Sequence, residues 1–62
     1  MGHRVLIVDD DKAMRSVLST ILRDDGYTVE EAGNGREGLV KVESVDFNLV
    51  ITELRMPEMS GN

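Results

Sequence analysis

Sixty-two residues hold one small domain at most, and a domain of that size removes only about 60% of its unfolded surface from water, so its stability is marginal. The absence of cysteine excludes disulfide staples, thiolate zinc sites and a c-type haem site, fits a reducing cytoplasm, and leaves self-association as the common remedy for a small core. A formal charge of −5, with seven Lys and Arg scattered singly, argues against direct nucleic-acid binding by this segment, and no apolar run is long enough to span a bilayer or serve as a signal peptide.

Arg4 to Val8 is a short β-branched run ended by Asp9, Asp10 and Asp11, the pattern of a strand buried on both faces of a parallel sheet. Met14, Val17, Leu18, Ile21 and Leu22 follow at helical spacing and form one apolar stripe, with Asp11 as N-cap and Gly26 as the stop. Tyr27 to Ala32 mixes apolar and acidic residues, as an edge strand with one wet side does. Asn34 followed three residues later by Glu37 is a capping box opening a second helix, whose Leu39 and Val42 are predicted to face inward. Phe47 to Thr52 holds Leu49, Val50 and Ile51 and reads as a third buried strand, followed by a loop around Pro57 and Gly61. The predicted strands span about 4–8, 27–32 and 48–53, and the predicted helices about 12–25 and 35–45. Two βαβ units in a row imply an α/β fold with a parallel three-stranded sheet and right-handed crossovers.

In such a sheet Asp9, Asp10, Asp11 and Glu53 all fall at the carboxyl edge, where open α/β folds place their sites. Carboxylates gathered there repel one another unless a cation neutralises them, and a hard ion with oxygen ligands, Mg²⁺ above all, is the fitting partner. The competing explanation is plain capping, because aspartates ahead of a helix satisfy its first amides and its dipole. For Asp11 capping is the stronger reading; for Asp9 and Asp10 the two stand level. Met56 and Met59 beside Pro57 read as loop packing, and His3 has no companion ligand.

These residues resemble the receiver domain of two-component response regulators. Val5-Leu-Ile-Val-Asp-Asp-Asp11 looks like that family's first strand, Asn34-Gly35 like its second turn, and Leu49-Val-Ile-Thr-Glu-Leu-Arg-Met-Pro-Glu-Met-Ser-Gly61 like its third strand and following loop. The resemblance runs through essentially the whole chain. It implies a flavodoxin-like sheet whose strands here would be ordered 2-1-3, half of a five-stranded fold. It also implies a phosphorelay role in which an aspartate at the end of strand three takes a phosphoryl group from a sensor histidine kinase or phosphotransfer protein. Carried over by position, Asp10 would bind Mg²⁺ directly, Asp9 largely through water, and the backbone carbonyl of Arg55 would complete the set beside position 53.

Two departures from the family pattern bear on function. Glu53 occupies the acceptor position, and its carboxylate stands one carbon–carbon bond, about 1.5 Å, further out than an aspartate's. In-line transfer depends on positioning, so the resemblance implies an inactive or phosphate-mimicking acceptor, the mimicry being partial because a carboxylate lacks the phosphate's extra charge and oxygens. The chain also stops before strand four, without the hydroxyl and lysine that contact the phosphoryl group in the family. Strand three would then be an exposed edge able to pair with a second copy, which makes a self-associating interaction module the alternative role. A Mg²⁺-dependent phosphatase is the remote alternative. It lacks a general acid placed near the aspartates and a phosphate-cradling glycine loop, so the chain is expected not to be an enzyme.

Overall fold

The computed structural model describes residues 2–53. Their order is β1 (Arg4–Asp9), α1 (Lys12–Asp24), β2 (Thr28–Ala32), α2 (Gly35–Ser44) and β3 (Leu49–Glu53). Each bound lies within one residue of the sequence expectation. The strands form one parallel sheet ordered β2-β1-β3, the arrangement the resemblance implies.

Strand β1 lies in the centre and has a helix over each face, which is why its side chains are apolar without alternation. Val5 and Ile7 pack with Val29 on the α1 face, against Leu18, Leu22, Tyr27 and Ile51. Leu6 and Val8 pack with Ala32 on the other face, against Phe47. Register is set at the amino end of the sheet by a reciprocal pair. Arg4 N–H donates to Asn48 Oδ1 at 2.8 Å, and Asn48 N–H donates to the Arg4 carbonyl at 2.8 Å. From there β3 runs in step with β1, Val5 opposite Leu49 through Asp9 opposite Glu53.

Helix α1 ends as its sequence predicts. Gly26 sits at φ +97°, its N–H donates to the Arg23 carbonyl, and the Tyr27 N–H reaches back to Leu22. That is a Schellman closure, with Tyr27 and Leu22 both packed on the core beneath it. The apolar stripe of α1, however, is only partly covered. Leu18 and Leu22 pack on the sheet, whereas Met14, Val17 and Ile21 stay exposed. The helix leans toward β2, where Ser19 is buried and Arg15 half-buried through bonds to Glu31.

Three further expectations are corrected. Strand β2 is an edge strand, but neither of its faces is simply wet. Glu31 is held by α1 and Glu30 by Lys41 of α2, at 3.2 Å, so both glutamates are half-buried. The cap of α2 is displaced by one residue from a standard box. Asn34 Oδ1 accepts from the Glu37 N–H, but Glu37 Oε1 accepts from Gly33 N–H rather than from Asn34. Leu39 and Val42 do not reach the core. Leu39 is 60% exposed, and both border an open apolar groove with Leu6, Val8 and Val50.

The reason is the close seat of α2 at Gly38. A methyl added there would meet Val8 Cγ2 at 2.9 Å, so the helix sits against β1 at its glycine, and Leu39 and Val42 line one side of a groove that Val50 and Thr52 of β3 also border. Alanine in a helix interior ordinarily stabilises by about 1 kcal/mol over glycine. Gly38→Ala is expected to do the opposite, with overpacking against buried, stiff Val8 giving a net loss of about 1 kcal/mol in urea unfolding.

Candidate functional site

The carboxyl edge of the sheet is built around the turn from β1 into α1. Asp9, the last residue of β1, is 4% exposed, an unusual place for a carboxylate unless hydrogen bonds replace its water. One replacement comes from within the turn, where the Asp11 N–H donates to Asp9 Oδ1 at 2.9 Å. Asp10 is exposed. Asp11 is the N-cap of α1, its Oδ1 accepting from the Ala13 N–H at 3.0 Å and the Met14 N–H at 3.2 Å. The capping reading therefore holds for Asp11, which turns its carboxylate to the helix.

Among the described residues no three His, Cys, Asp or Glu side chains come together as a metal cluster. Asp9 and Asp10 supply two hard oxygen donors, a set that suits a hard cation with water in its remaining positions. The parallel register places Glu53 directly opposite Asp9 on the neighbouring strand. The expected ligand carbonyl of Arg55 and the loop of Met56, Pro57, Met59 and Gly61 lie outside the described residues. His3, set aside from the sequence, lies with its ring 6.3 Å from that of Tyr27 and far from the acidic turn in the fold, at the opposite end of β1.

Two residues that sequence reasoning passed over join this edge. Arg15 donates from Nη1 to the Asp9 carbonyl at 2.6 Å and from Nε to Glu31 Oε1 at 3.3 Å, and the Ser19 hydroxyl donates to Glu31 Oε2 at 2.9 Å. Arg15 and Ser19 are four residues apart and share a helix face, but on α1 they flank the apolar stripe and read as solvated. The available signal was Glu31, an acidic residue on the same sheet face as Val29.

Comparison with known proteins bears on this geometry. The family model described as response regulator receiver domain matches residues 5–62. The chemotaxis protein CheY of Thermotoga maritima is 47% identical over 62 residues, an alignment covering 98% of this chain and 52% of that protein. The transcriptional regulatory protein ZraR of Klebsiella oxytoca is 44% identical over 57 residues, covering 92% of this chain and 13% of that one. The solved structure of the Vibrio cholerae chemotaxis protein CheY4 superposes with a TM-score of 0.86 at 41% identity, covering 95% of this chain and 49% of that one. The chain thus spans about half the length of the two chemotaxis proteins it matches.

Because Asp11 acts as a cap, Asp11→Ala is expected to cost about 1 kcal/mol in chemical unfolding while Asp11→Asn stays near neutral. Equal losses for both would show that the charge of Asp11, not its acceptor oxygen, is what α1 needs.

Proposed function

The chain belongs to the response regulator receiver domain family, and on that premise we propose that it serves phosphorelay signalling as the part of a receiver that presents the Mg²⁺ carboxylates and the acceptor position. The observation that carries this reading is the register of β1 and β3, which sets position 53 across from the buried end of the acidic turn. Asp10 is the exposed donor, suited to direct ligation, and Asp9 the buried one, suited to acting through water. Glu53 and the Arg55 carbonyl would complete the protein's share. When bound, Mg²⁺ supplies the positive charge that lets an anionic phosphoryl group approach a cluster of carboxylates. The chain's own part is to hold two carboxylates at one edge and to fix the strand that carries position 53.

With glutamate there, the site reads as an inactive or phosphate-mimicking acceptor. The partner in this reading is a sensor histidine kinase or a phosphotransfer protein that docks against the carboxyl edge. The module works in the cytoplasm as a signal receiver rather than as an enzyme. No helix among the described residues is long and apolar enough to cross a membrane.

The test is a titration of the chain with Mg²⁺, followed through the amide resonances of residues 8 to 12. Shifts confined to that turn are expected, and Asp10→Ala is expected to abolish them. No localised shift in the parent chain, or shifts that survive Asp10→Ala, would sink the metal reading.

A second role rests on a separate observation. Among the described residues β3 is an edge strand with Leu49 and Val50 exposed, one on each face of the sheet, so a second copy could pair along it and cover apolar surface on both sides. Light scattering over a wide concentration range is expected to show a dimer, and Val50→Lys to reduce it. A concentration-independent monomer with native-like amide protection would defeat the interaction role and leave the receiver reading untouched.

A further inference from the structure

The acidic turn is closed by a ring of three hydrogen bonds. Asp9 Oδ1 accepts from the Asp11 N–H at 2.9 Å, the Asp11 carbonyl accepts from the Arg15 N–H at 3.0 Å, and the Arg15 guanidinium returns to the Asp9 carbonyl at 2.6 Å. The last of these is charge-assisted and falls just past Val8–Ala32, the final registered pair of β1 and β2. The Asp9 carbonyl belongs to the peptide plane that joins Asp9 to Asp10. A guanidinium bonded to that oxygen restrains the plane, and with it the position of the Asp10 Cα from which the side chain departs.

Arg15 is itself held. Glu31 on β2 accepts from its Nε, and Ser19 holds the other oxygen of Glu31. Its head group also reaches the turn ahead of α2, since a methyl built on Gly33 would touch Arg15 Nη1 at 3.5 Å. One planar fork thus spans three segments of the carboxyl edge, a task for which lysine, with a single ammonium, has no equivalent geometry.

We infer that Arg15 is the positioning residue of the acidic turn, holding the Asp9–Asp10 peptide in the orientation that presents both carboxylates to a divalent cation. The inference rests on the metal reading above only for its functional consequence. Its structural half is measurable without metal.

The experiment is amide hydrogen exchange on the metal-free chain, comparing Asp11 with Ile7 in the core, together with the Mg²⁺ titration, for Arg15→Met, Arg15→Lys and Ser19→Ala. Arg15→Met is expected to speed Asp11 exchange about tenfold with Ile7 unchanged, as loss of a charge-assisted bond implies. It is also expected to weaken Mg²⁺ binding about tenfold, the lower end of what loss of a group supporting a metal ligand costs. Arg15→Lys recovers part of both, and Ser19→Ala, which removes a hydrogen bond to Glu31 but leaves the bond from Arg15 to the Asp9 carbonyl in place, changes both less than Arg15→Met does. A folded Arg15→Met chain with parental Asp11 exchange and parental Mg²⁺ affinity overturns the inference, as does a Ser19→Ala chain that loosens Asp11 equally. Should Arg15→Met lose its dispersed amide spectrum, Arg15→Lys decides: faster Asp11 exchange with Ile7 unchanged supports the inference, and parental exchange overturns it. A parental chain that gives no Mg²⁺ shift while Arg15→Met still frees Asp11 defeats the metal reading and leaves Arg15 as the holder of the turn.

Discussion

The buried carboxylate of Asp9 is the constraint on which this structure turns. A central strand with helices on both faces must be apolar along its length, and β1 obeys that rule from Val5 to Val8. Its next residue is an acid that is as well buried as the valine before it. An unpaired carboxylate there would cost several kcal/mol, so the turn that follows has to bring donors to it. The backbone of Asp11 does so while its side chain opens α1, and Arg15, one turn into that helix, closes back on the same residue. Strand end, helix start and site are a single hydrogen-bonded unit.

The same economy runs through the edge strand β2. Its adjacent glutamates point to opposite faces, Glu31 to Arg15 and Ser19 of α1, Glu30 to Lys41 of α2. Exposed ion pairs contribute at most about 1 kcal/mol, and the Lys41 pair belongs in that class. The Arg15 pair is better shielded, with side chains 16% and 30% exposed, and is reinforced by the buried Ser19 hydroxyl. In a chain whose buried apolar core is Val5, Leu6, Ile7, Val8, Val29 and Ala32 among the described residues, such polar ties add to the apolar packing of helices on the sheet.

Much of the fold was legible because periodicity and caps are local. The run Arg4–Val8, the N-cap Asp11 and the stop at Gly26 each act through residues within a turn of themselves, so the sequence suffices to place them. Covering of faces is different, because it depends on what stands opposite. The α1 stripe reads as uniformly inward, yet α1 leans toward β2 and leaves Met14, Val17 and Ile21 exposed, while α2, seated at Gly38, leaves Leu39 and Val42 beside an open groove. The site was legible as acids at one edge. The role of Arg15 was not, since its acceptor at Asp9 is a backbone carbonyl, a group every residue possesses and no pattern marks.

The clamp between Arg4 and Asn48 acts as the zero mark of a ruler. β3 is paired to β1 from that mark upward, and the residue that stands across from Asp9 is simply the fifth after Asn48. At about 3.3 Å per residue, the fixed point lies some 16 Å from the acidic turn it governs. One residue inserted between Asn48 and Thr52 would bring Thr52 opposite Asp9 in place of Glu53 without any change in the acidic turn itself. What faces the buried acid is thus decided by counting from the far end of the sheet, and the chemistry of position 53 is inherited from a hydrogen-bonded asparagine that never approaches it.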